Sequence, residues 1–485
     1  MKQKIVIDPV TRVEGHGKVT IHMDEQNQVT DSFFHIVEFR GFERFIQGHP
    51  YWEAPVMVQR LCGICPVSHH LAAAKAIDRI VGLEPEELSI TAQKIRKLLH
   101  FGQIFQSHAL HFFYLASPDL LFGSSARPEI RNVVGVAMEY PELAKKGIMM
   151  RKFGQEIIKM IAGKKIHGIS TTPGGVHKKI TVRERDYFLN GKEIPSVDTM
   201  ISWSQEIIDF IKSYHVKNAA WLNNFADYPS GHMGLVNKTN GYLELYDGHL
   251  RAIDSTGTRT LDDIEDKDYE HWFYEGVERW SYMKFPYLKH LGRKDGWNRV
   301  GPLARLNVCE GISTPLAAFE RLEFLEANAG KTCNRTMYSH WARLIELLHC
   351  AEMMKELLED DDLLSNDLVR RGERRNEGVG IIEAPRGTLI HHYQVDDKDR
   401  ITRCNLIVST THNNEAMNKA VEWVAKNEIS GKKKITEGLL NQVEVAIRAY
   451  DPCLSCATHA LGKMPLEVSL LGPDGNTIDV RRKNE

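Results

Sequence analysis

Residues 60–70 read RLCGICPVSHH and residues 451–459 read DPCLSCATH. Each stretch holds a Cys-x-x-Cys pair, Cys62 with Cys65 and Cys453 with Cys456. Two such pairs can supply the four thiolates of a tetrahedral metal site, and in a short cytosolic domain structural zinc would be the plain reading. Zinc knuckles, however, close over short loops to order small folds, whereas these pairs stand near opposite ends of a 485-residue chain. Iron-sulfur clusters also take four thiolates, usually from a tighter run within one segment. Thiolate sites that join distant segments of a large domain more often hold a redox or catalytic metal. On spacing alone, a catalytic metal, structural zinc and cysteines without a shared role all stay open.

Composition sets the bounds. Hydrophobic residues make up 42% and charged residues 26%, as in ordinary globular proteins, so disordered and fibrous classes drop out. Lys+Arg 62 against Asp+Glu 64 gives a net charge of −2, which carries no signature of a nucleic-acid or membrane-surface partner. No stretch approaches the apolar run of a membrane span, and the start MKQKIVIDPV lacks that of a secretory signal; the expected compartment is the cytoplasm. Eight cysteines in so long a chain do not make a disulfide scaffold. The isolated ones, Cys309, Cys333, Cys350 and Cys404, read as small buried hydrophobes.

Hydrophobic periodicity predicts a mainly α protein with a small antiparallel β layer (α+β), one large domain around a bundle of long helices. Strand-like alternation covers Ile5–Ile7, Lys18–Met23 and Val29–Val37, with a polar DEQNQ turn between the last two. From Ser89 the period becomes helical: Leu98, Phe101, Phe105, His108, Phe112 and Leu115 share one face behind a Ser89 cap. Further helical segments run from about Val197 to Leu222, Leu316 to Leu358 and Asn414 to Tyr450, with turn-rich or stranded pieces such as TTPGGVHKK and GVGIIEAPRGTLIHHYQV between them. No repeat or linker divides the chain. His108, on an apolar stripe, reads as a satisfied core histidine, and the Pro173-Gly174-Gly175 turn carries no chemistry.

The neighbours of the cysteine pairs narrow the choice. IVIDPVTRVEGH (residues 5–16) sets Glu14 beside a Gly-x-Gly turn, FRGFERF sets Glu43 near Arg40, and EAPRGTL sets Arg386 directly after Pro385. Each alone reads as a solvated charge. Together with both pairs, and with VSTTHNN at residues 408–414, the set resembles the large, catalytic subunit of nickel-iron hydrogenases, over essentially the whole chain. The wording between motifs is most similar to the cytoplasmic, bidirectional, NAD-linked branch. The enzymes of methanogens linked to cofactor F420 or heterodisulfide reductase come second. Ser409 and His412 stand where membrane-anchored uptake enzymes usually show Pro and Trp.

That resemblance implies reversible heterolytic cleavage of dihydrogen. It assigns Cys62 and Cys453 as terminal nickel ligands and Cys65 and Cys456 as bridges to an iron carrying carbon monoxide and cyanides. Arg386 and Thr410 match the donors to those cyanides, with Pro385 lining their pocket. Glu14 matches a glutamate that takes the proton from the thiolate of Cys453. Arg386, held by Asp119 and Asp451, matches a guanidine over the open nickel position, and His69 a support beside the cysteine loop. Glu43 and His459 match ligands of a structural magnesium.

The resemblance also implies a division of the chain into a hydrogenase domain, 1–459, and an extension, 460–485, that a maturation endopeptidase removes by cutting after His459. In a chain that keeps this extension, an ill-placed His459 is expected. Within the extension, PLEVSLLGPDGNTIDVRR predicts a hairpin around Pro-Asp-Gly. Electrons must leave to another polypeptide, because GVGIIEA (378–384) has Glu383 where a dinucleotide fingerprint needs Gly, and no further cysteines are spaced for a cluster. The implied partners are a small subunit with iron-sulfur clusters and diaphorase-type flavin and NAD subunits. The rival from another class is a non-catalytic scaffold like the related subunit of respiratory complex I, which has lost the four cysteines that this chain keeps.

Overall fold

The computed structural model describes residues 3–459, 467–471 and 477–482. Its N-terminal sheet is antiparallel, in the order Gln3–Ile7, Gly17–Met23, Val29–Ile36. Asp24 closes the DEQNQ turn, its carboxylate accepting the amides of Gln26 and Gln28 while Asn27 takes φ 58°. Val19, Ile21, Phe34 and Ile36 face the core from this sheet.

Five long helices form the body: Pro66–Ile80, Ile90–Leu110, Pro141–Ala162, Val197–Lys217 and Ser339–Leu358. Ser89 caps Ile90–Leu110 as expected, its hydroxyl accepting from the Ala92 amide. This helix crosses Pro141–Ala162 where Gly102 meets Gly154. A Cβ on Gly154 would stand 2.5 Å from the Gly102 carbonyl oxygen, so only glycine permits the approach. At His111–Ala116 the helix widens into a π turn before Ser117–Phe122. Such turns redirect side chains near functional sites, and this one precedes Asp119.

Two expected helices are broken. The segment from Leu316 becomes Pro315–Ala327 and Ser339–Leu358, separated by a loop in which Ala329 and Gly330 take φ 53° and 69°. That from Asn414 becomes Asn414–Val424, a π turn Ala425–Ile429 and Glu437–Arg448. Positive φ at Gly431 and a run of exposed lysines, Lys432 to Lys434, end its first part.

GVGIIEAPRGTLIHHYQV folds as strands Glu377–Ala384 and Gly387–Val395, turning at Pro385–Arg386 and continued by Ile401–Ile407. The sheet lies on helix Pro66–Ile80 so closely that a Cβ at Gly380 would sit 2.2 Å from the Ala72 carbonyl oxygen. The helix opening at Cys65 and the hairpin carrying Arg386 are thereby locked together. A four-stranded sheet of Asn298–Arg299, Gly231–Val236, His249–Ile253 and Arg259–Ile264, not foreseen in the sequence, covers the far side.

In the extension, Glu467–Leu471 and Thr477–Arg482 pair antiparallel. The expected Pro-Asp-Gly turn lies outside the described residues. No helix among the described residues is long and apolar enough to cross a membrane.

Candidate metal centre

The two Cys-x-x-Cys pairs meet. The sulfurs of Cys62, Cys65, Cys453 and Cys456 all lie within 4.8 Å of one another, and the four residues are 0–5% exposed. Cys62 ends a 3-10 turn, Val58–Leu61, and its sulfur accepts the amides of Ile64 and Cys65 at 3.2 Å each. Cys65 stands at the N-terminus of helix Pro66–Ile80, where the helix dipole favours a thiolate. Across the site, Cys453 Sγ is 3.2 Å from Cys62 Sγ and 2.7 Å from Cys456 Sγ, and Cys65 Sγ is 3.9 Å from Cys456 Sγ.

Four thiols at these distances cannot all ionise by themselves. Hydrogen bonds from the others, Cys453 first, hold the Cys65 thiol far below its usual range, whereas burial pushes those of Cys453 and Cys456 far above it. A soft cation resolves this by replacing the shared protons and taking all four sulfurs as thiolates.

Glu14 reaches the second pair. Its backbone forms a parallel bridge with Cys453, the Leu454 amide donating to the Glu14 carbonyl at 2.9 Å. Its Oε2 accepts from Cys453 Sγ at 2.9 Å and from the Ser455 amide at 3.2 Å, and the Ser455 hydroxyl donates to Oε1. Gly15 permits this: at φ 82°, a Cβ there would meet the Ser455 nitrogen at 2.7 Å.

Arg386 comes over the site from the hairpin turn. It donates from Nε to the Asp451 carbonyl and from Nη2 to Asp451 Oδ1 at 3.0 Å, leaving Nη1 and Asp451 Oδ2 without a partner although both are buried. Burial raises the Asp451 carboxyl to about 6, against the pull of Arg386 and Arg343. Pro385 is buried beside this turn. Thr410 Oγ1 accepts the Cys453 amide at 2.9 Å, which leaves its hydroxyl hydrogen free to donate.

Asp119 departs from expectation. It does not hold Arg386, which is spent on Asp451. Its carboxylate instead receives Arg12 at 2.6 Å, Arg448 at 3.0 Å and Asn441 at 3.1 Å.

Glu43 and His459 lie behind the second pair. Glu43 Oε1 accepts the Leu406 amide at 3.0 Å and is 3.9 Å from the Lys284 ammonium; burial raises its carboxyl, against the pull of Lys284. His459 is buried, not turned outward. Its Nε2 bonds the Cys456 carbonyl, its ring packs edge-on to Phe42 at 5.8 Å, and its Nδ1 has no partner. Burial lowers its pKa to about 3, so the imidazole is neutral.

Behind the first pair runs a line of hydrogen-bonded rings. His69 Nδ1 lies 3.1 Å from His391 Nε2, and His391 Nδ1 2.8 Å from the Tyr393 hydroxyl. Burial keeps the His391 imidazole neutral, so one of its nitrogens donates and the other accepts along this line, and His69 in turn bonds the Cys65 sulfur. His108 is, as expected, a core residue and not a ligand of the centre: its Nε2 lies 3.0 Å from Glu346, while its buried Nδ1 has no partner. Sequence reasoning missed Ser455, which lies inside the DPCLSCATH motif and offered a signal. It also missed Arg12, Arg448, Asn441 and the His391–Tyr393 pair, whose partners are distant in the chain and gave none.

A family profile described as nickel-dependent hydrogenase matches residues 40–126 and 245–459, and another described as HoxL-like matches residues 4–39. The chain is 50% identical to the NAD-reducing hydrogenase HoxS subunit beta of Cupriavidus necator, over 100% of both chains. It is 41% identical to a chain of the vhc F420-non-reducing hydrogenase of Methanococcus voltae, over 96% of this chain and 97% of that one. The crystal structure of an NAD+-reducing NiFe-hydrogenase in the H2-reduced state superposes with a TM-score of 0.91 at 54% identity, covering 94% of this chain and 99% of that one. The Ni-Fe-Se hydrogenase of D. vulgaris Hildenborough, at 21% identity and a TM-score of 0.73, shares the fold.

Proposed function

The chain belongs to the nickel-dependent hydrogenase family as a NiFe hydrogenase large subunit, and from that premise we propose how its residues divide the work of cleaving dihydrogen. The observation that carries the proposal is the convergence of four buried cysteines with Glu14 set 2.9 Å from one of them.

The donor set fits nickel and iron: four sulfurs that cannot share their protons, beside a buried guanidinium with an unused N–H. Cys62, Cys65, Cys453 and Cys456 would hold the nickel and iron. Bound there, the metals supply the Lewis acid that polarises dihydrogen and the redox capacity that accepts its electrons. The chain does the rest. Burial keeps water from the sulfurs. Glu14 Oε2 takes the proton from Cys453 Sγ, and the amide and hydroxyl of Ser455 fix the carboxylate for that transfer. Arg386, held at two points by Asp451, aims its free Nη1 and its charge into the site. Arg386 and Thr410 would donate to cyanide ligands of an iron that also carries carbon monoxide, with Pro385 lining their pocket. Glu43 and His459 would hold magnesium, which suits a buried carboxylate and an imidazole nitrogen with no other partner.

Electrons pass to a small subunit with iron-sulfur clusters, since no second cluster of metal-ligating side chains occurs among the described residues. NAD is the acceptor we favour, through diaphorase-type flavin subunits in a soluble, cytoplasmic assembly, because the relative at 50% identity is named NAD-reducing. A methanogen-type linkage is the second reading, on the strength of the relative at 41% identity. Residues 460–485 are an extension that an endopeptidase removes after His459.

An infrared spectrum of the processed protein with its partners, in the region of metal-bound carbon monoxide and cyanide, tests the centre. Bands that move under dihydrogen are expected, and their absence from nickel-loaded protein would sink the proposed ligand set. Dihydrogen-dependent reduction of NAD, measured against F420, decides the acceptor.

A further inference from the structure

Asp119 binds more partners than an anchor for one arginine needs. It is 6% exposed on the short helix Ser117–Phe122, just after the π turn. Its Oδ1 accepts from Arg12 Nη2 at 2.6 Å and Asn441 Nδ2 at 3.1 Å, and its Oδ2 from Arg448 Nη1 at 3.0 Å; Arg131 Nε stands 3.6 Å away. The two arginines lie on the segments that carry Glu14 and Cys453. Arg448 also donates to the Thr11 carbonyl at 2.9 Å and the Thr11 hydroxyl at 2.8 Å, while Glu444 accepts from Thr11 and pairs with Arg448 at 3.0 Å. Arg12 donates to the Leu115 carbonyl at 2.8 Å, which returns the N-terminal segment to the π turn.

This segment needs such an anchor. Across residues 8–16 only Val10 is buried, and Arg12 and Gly15 take φ 55° and 82°. Beyond the backbone bridge of Glu14 to Cys453, ionic contacts hold this segment more than apolar burial does. The Asp119 carboxylate joins two guanidiniums, one ahead of Glu14 and the other ahead of Cys453, and so ties together the two segments whose groups exchange the proton.

We propose that Asp119 is a positioning residue for Glu14, acting through Arg12 and Arg448 and not through Arg386. This rests on Glu14 being the proton acceptor, so Glu14→Gln is the control. Two reactions of the assembled, nickel-loaded enzyme separate the possibilities. Dihydrogen oxidation with an artificial acceptor requires the proton to leave, whereas conversion of para-hydrogen to its equilibrium mixture requires only cleavage and recombination at the site.

In Asp119→Asn, oxidation should fall by about 10- to 100-fold, the scale of a misplaced proton-transfer group, with para-hydrogen conversion and nickel content unchanged. Parallel loss of both reactions at full nickel content would place Asp119 at the cleavage step and overturn the proposal. So would wild-type oxidation. If Glu14→Gln itself keeps full oxidation, the reading of Glu14 fails independently of the clamp. Should Asp119→Asn not assemble, Arg12→Lys keeps the charge but loses the contact with Leu115. It should show the same split to a smaller degree, and intact oxidation in it would overturn the proposal.

Discussion

The two cysteine pairs share one site but are backed by opposite kinds of support. Behind Cys62 and Cys65 the groups on the sulfurs are uncharged backbone amides at Cys62 and, beyond them, His69, His391 and Tyr393 in a single line of hydrogen bonds, while Arg40 donates only to the neighbouring Leu61 and Arg60 carbonyls. Around Cys453 and Cys456 they are charged: Glu14, Arg386 with Asp451, and further out Asp119 between Arg12 and Arg448. Neutral donors can steady a thiolate without exchanging protons with solvent. Charged groups can take up a proton or answer a developing charge. The first pair is therefore built to hold and the second to react. An ionic environment is also the costlier to disturb, since removing one partner leaves a buried charge uncompensated.

The largest effects should not distinguish the pairs at all. Cys65→Ser and Cys456→Ser each remove a soft ligand that a hydroxyl does not replace, so both should lose nickel, measured by elemental analysis, along with all dihydrogen oxidation. If Cys65→Ser keeps nickel while Cys456→Ser loses it, the four sulfurs do not form one metal site.

The next effect should appear only on the charged side. Lysine at position 386 keeps the charge but cannot make both contacts with Asp451 while presenting a third N–H. Arg386→Lys should retain nickel and lose about 10²- to 10³-fold in turnover, the scale of one misplaced electrostatic donor. Turnover near wild type would reduce Arg386 to a space-filling role and remove the main distinction between the two pairs.

Acid should also reach the helix behind the first pair. His70, on the same helix as His69, accepts from the Ser170 and Thr171 amides through Nε2, and burial lowers its pKa from 6.5 to about 4. Because the folded value lies below the unfolded one, its contribution is complete above pH 6.5 and is lost as pH falls towards 4. At full extent this is about 3 kcal/mol, from 1.36 kcal/mol per unit. Thermal unfolding followed from pH 7 to pH 4 should show a falling melting temperature in that window, with a weaker slope in His70→Gln. An identical slope in the variant would mean that His70 does not set the acid sensitivity.

How much of this was legible in the sequence follows from the same division. The four cysteines stood out by their pairing, and Glu14 and Arg386 were singled out by the resemblance of the short motifs in which they lie. The N-terminal sheet and the Ser89-capped helix were legible because local periodicity and one hydroxyl decide them. Asp119 could be picked out but its partner could not. Nothing local distinguishes Arg386 from Arg12 or Arg448 as its mate, and the π turn that aims it arises from packing. His391 and Tyr393 read as ordinary strand residues until the sheet is laid against helix Pro66–Ile80. The helix breaks near Gly330 and Gly431 were missed because apolar spacing continues on either side of them.

The smallest effect tests the line of rings where it is furthest from the sulfurs. Tyr393 is fully buried, and its hydroxyl is the partner of His391 Nδ1, 2.8 Å away. Removing it in Tyr393→Phe leaves His391 Nδ1 buried without a partner, at a cost of about 1–3 kcal/mol in stability. It also removes the contact that decides which His391 nitrogen carries the proton, and so disturbs the hydrogen bond from His391 to His69 beside Cys65. Outer hydrogen bonds of this kind tune a metal centre through its ligand. Dihydrogen oxidation should change by less than about 10-fold, at the low end of such effects, while the infrared bands of the site shift measurably. Unmoved bands with the same loss of stability would mean that the line only fills the core, and would leave the charged side as the sole tuned half of the site.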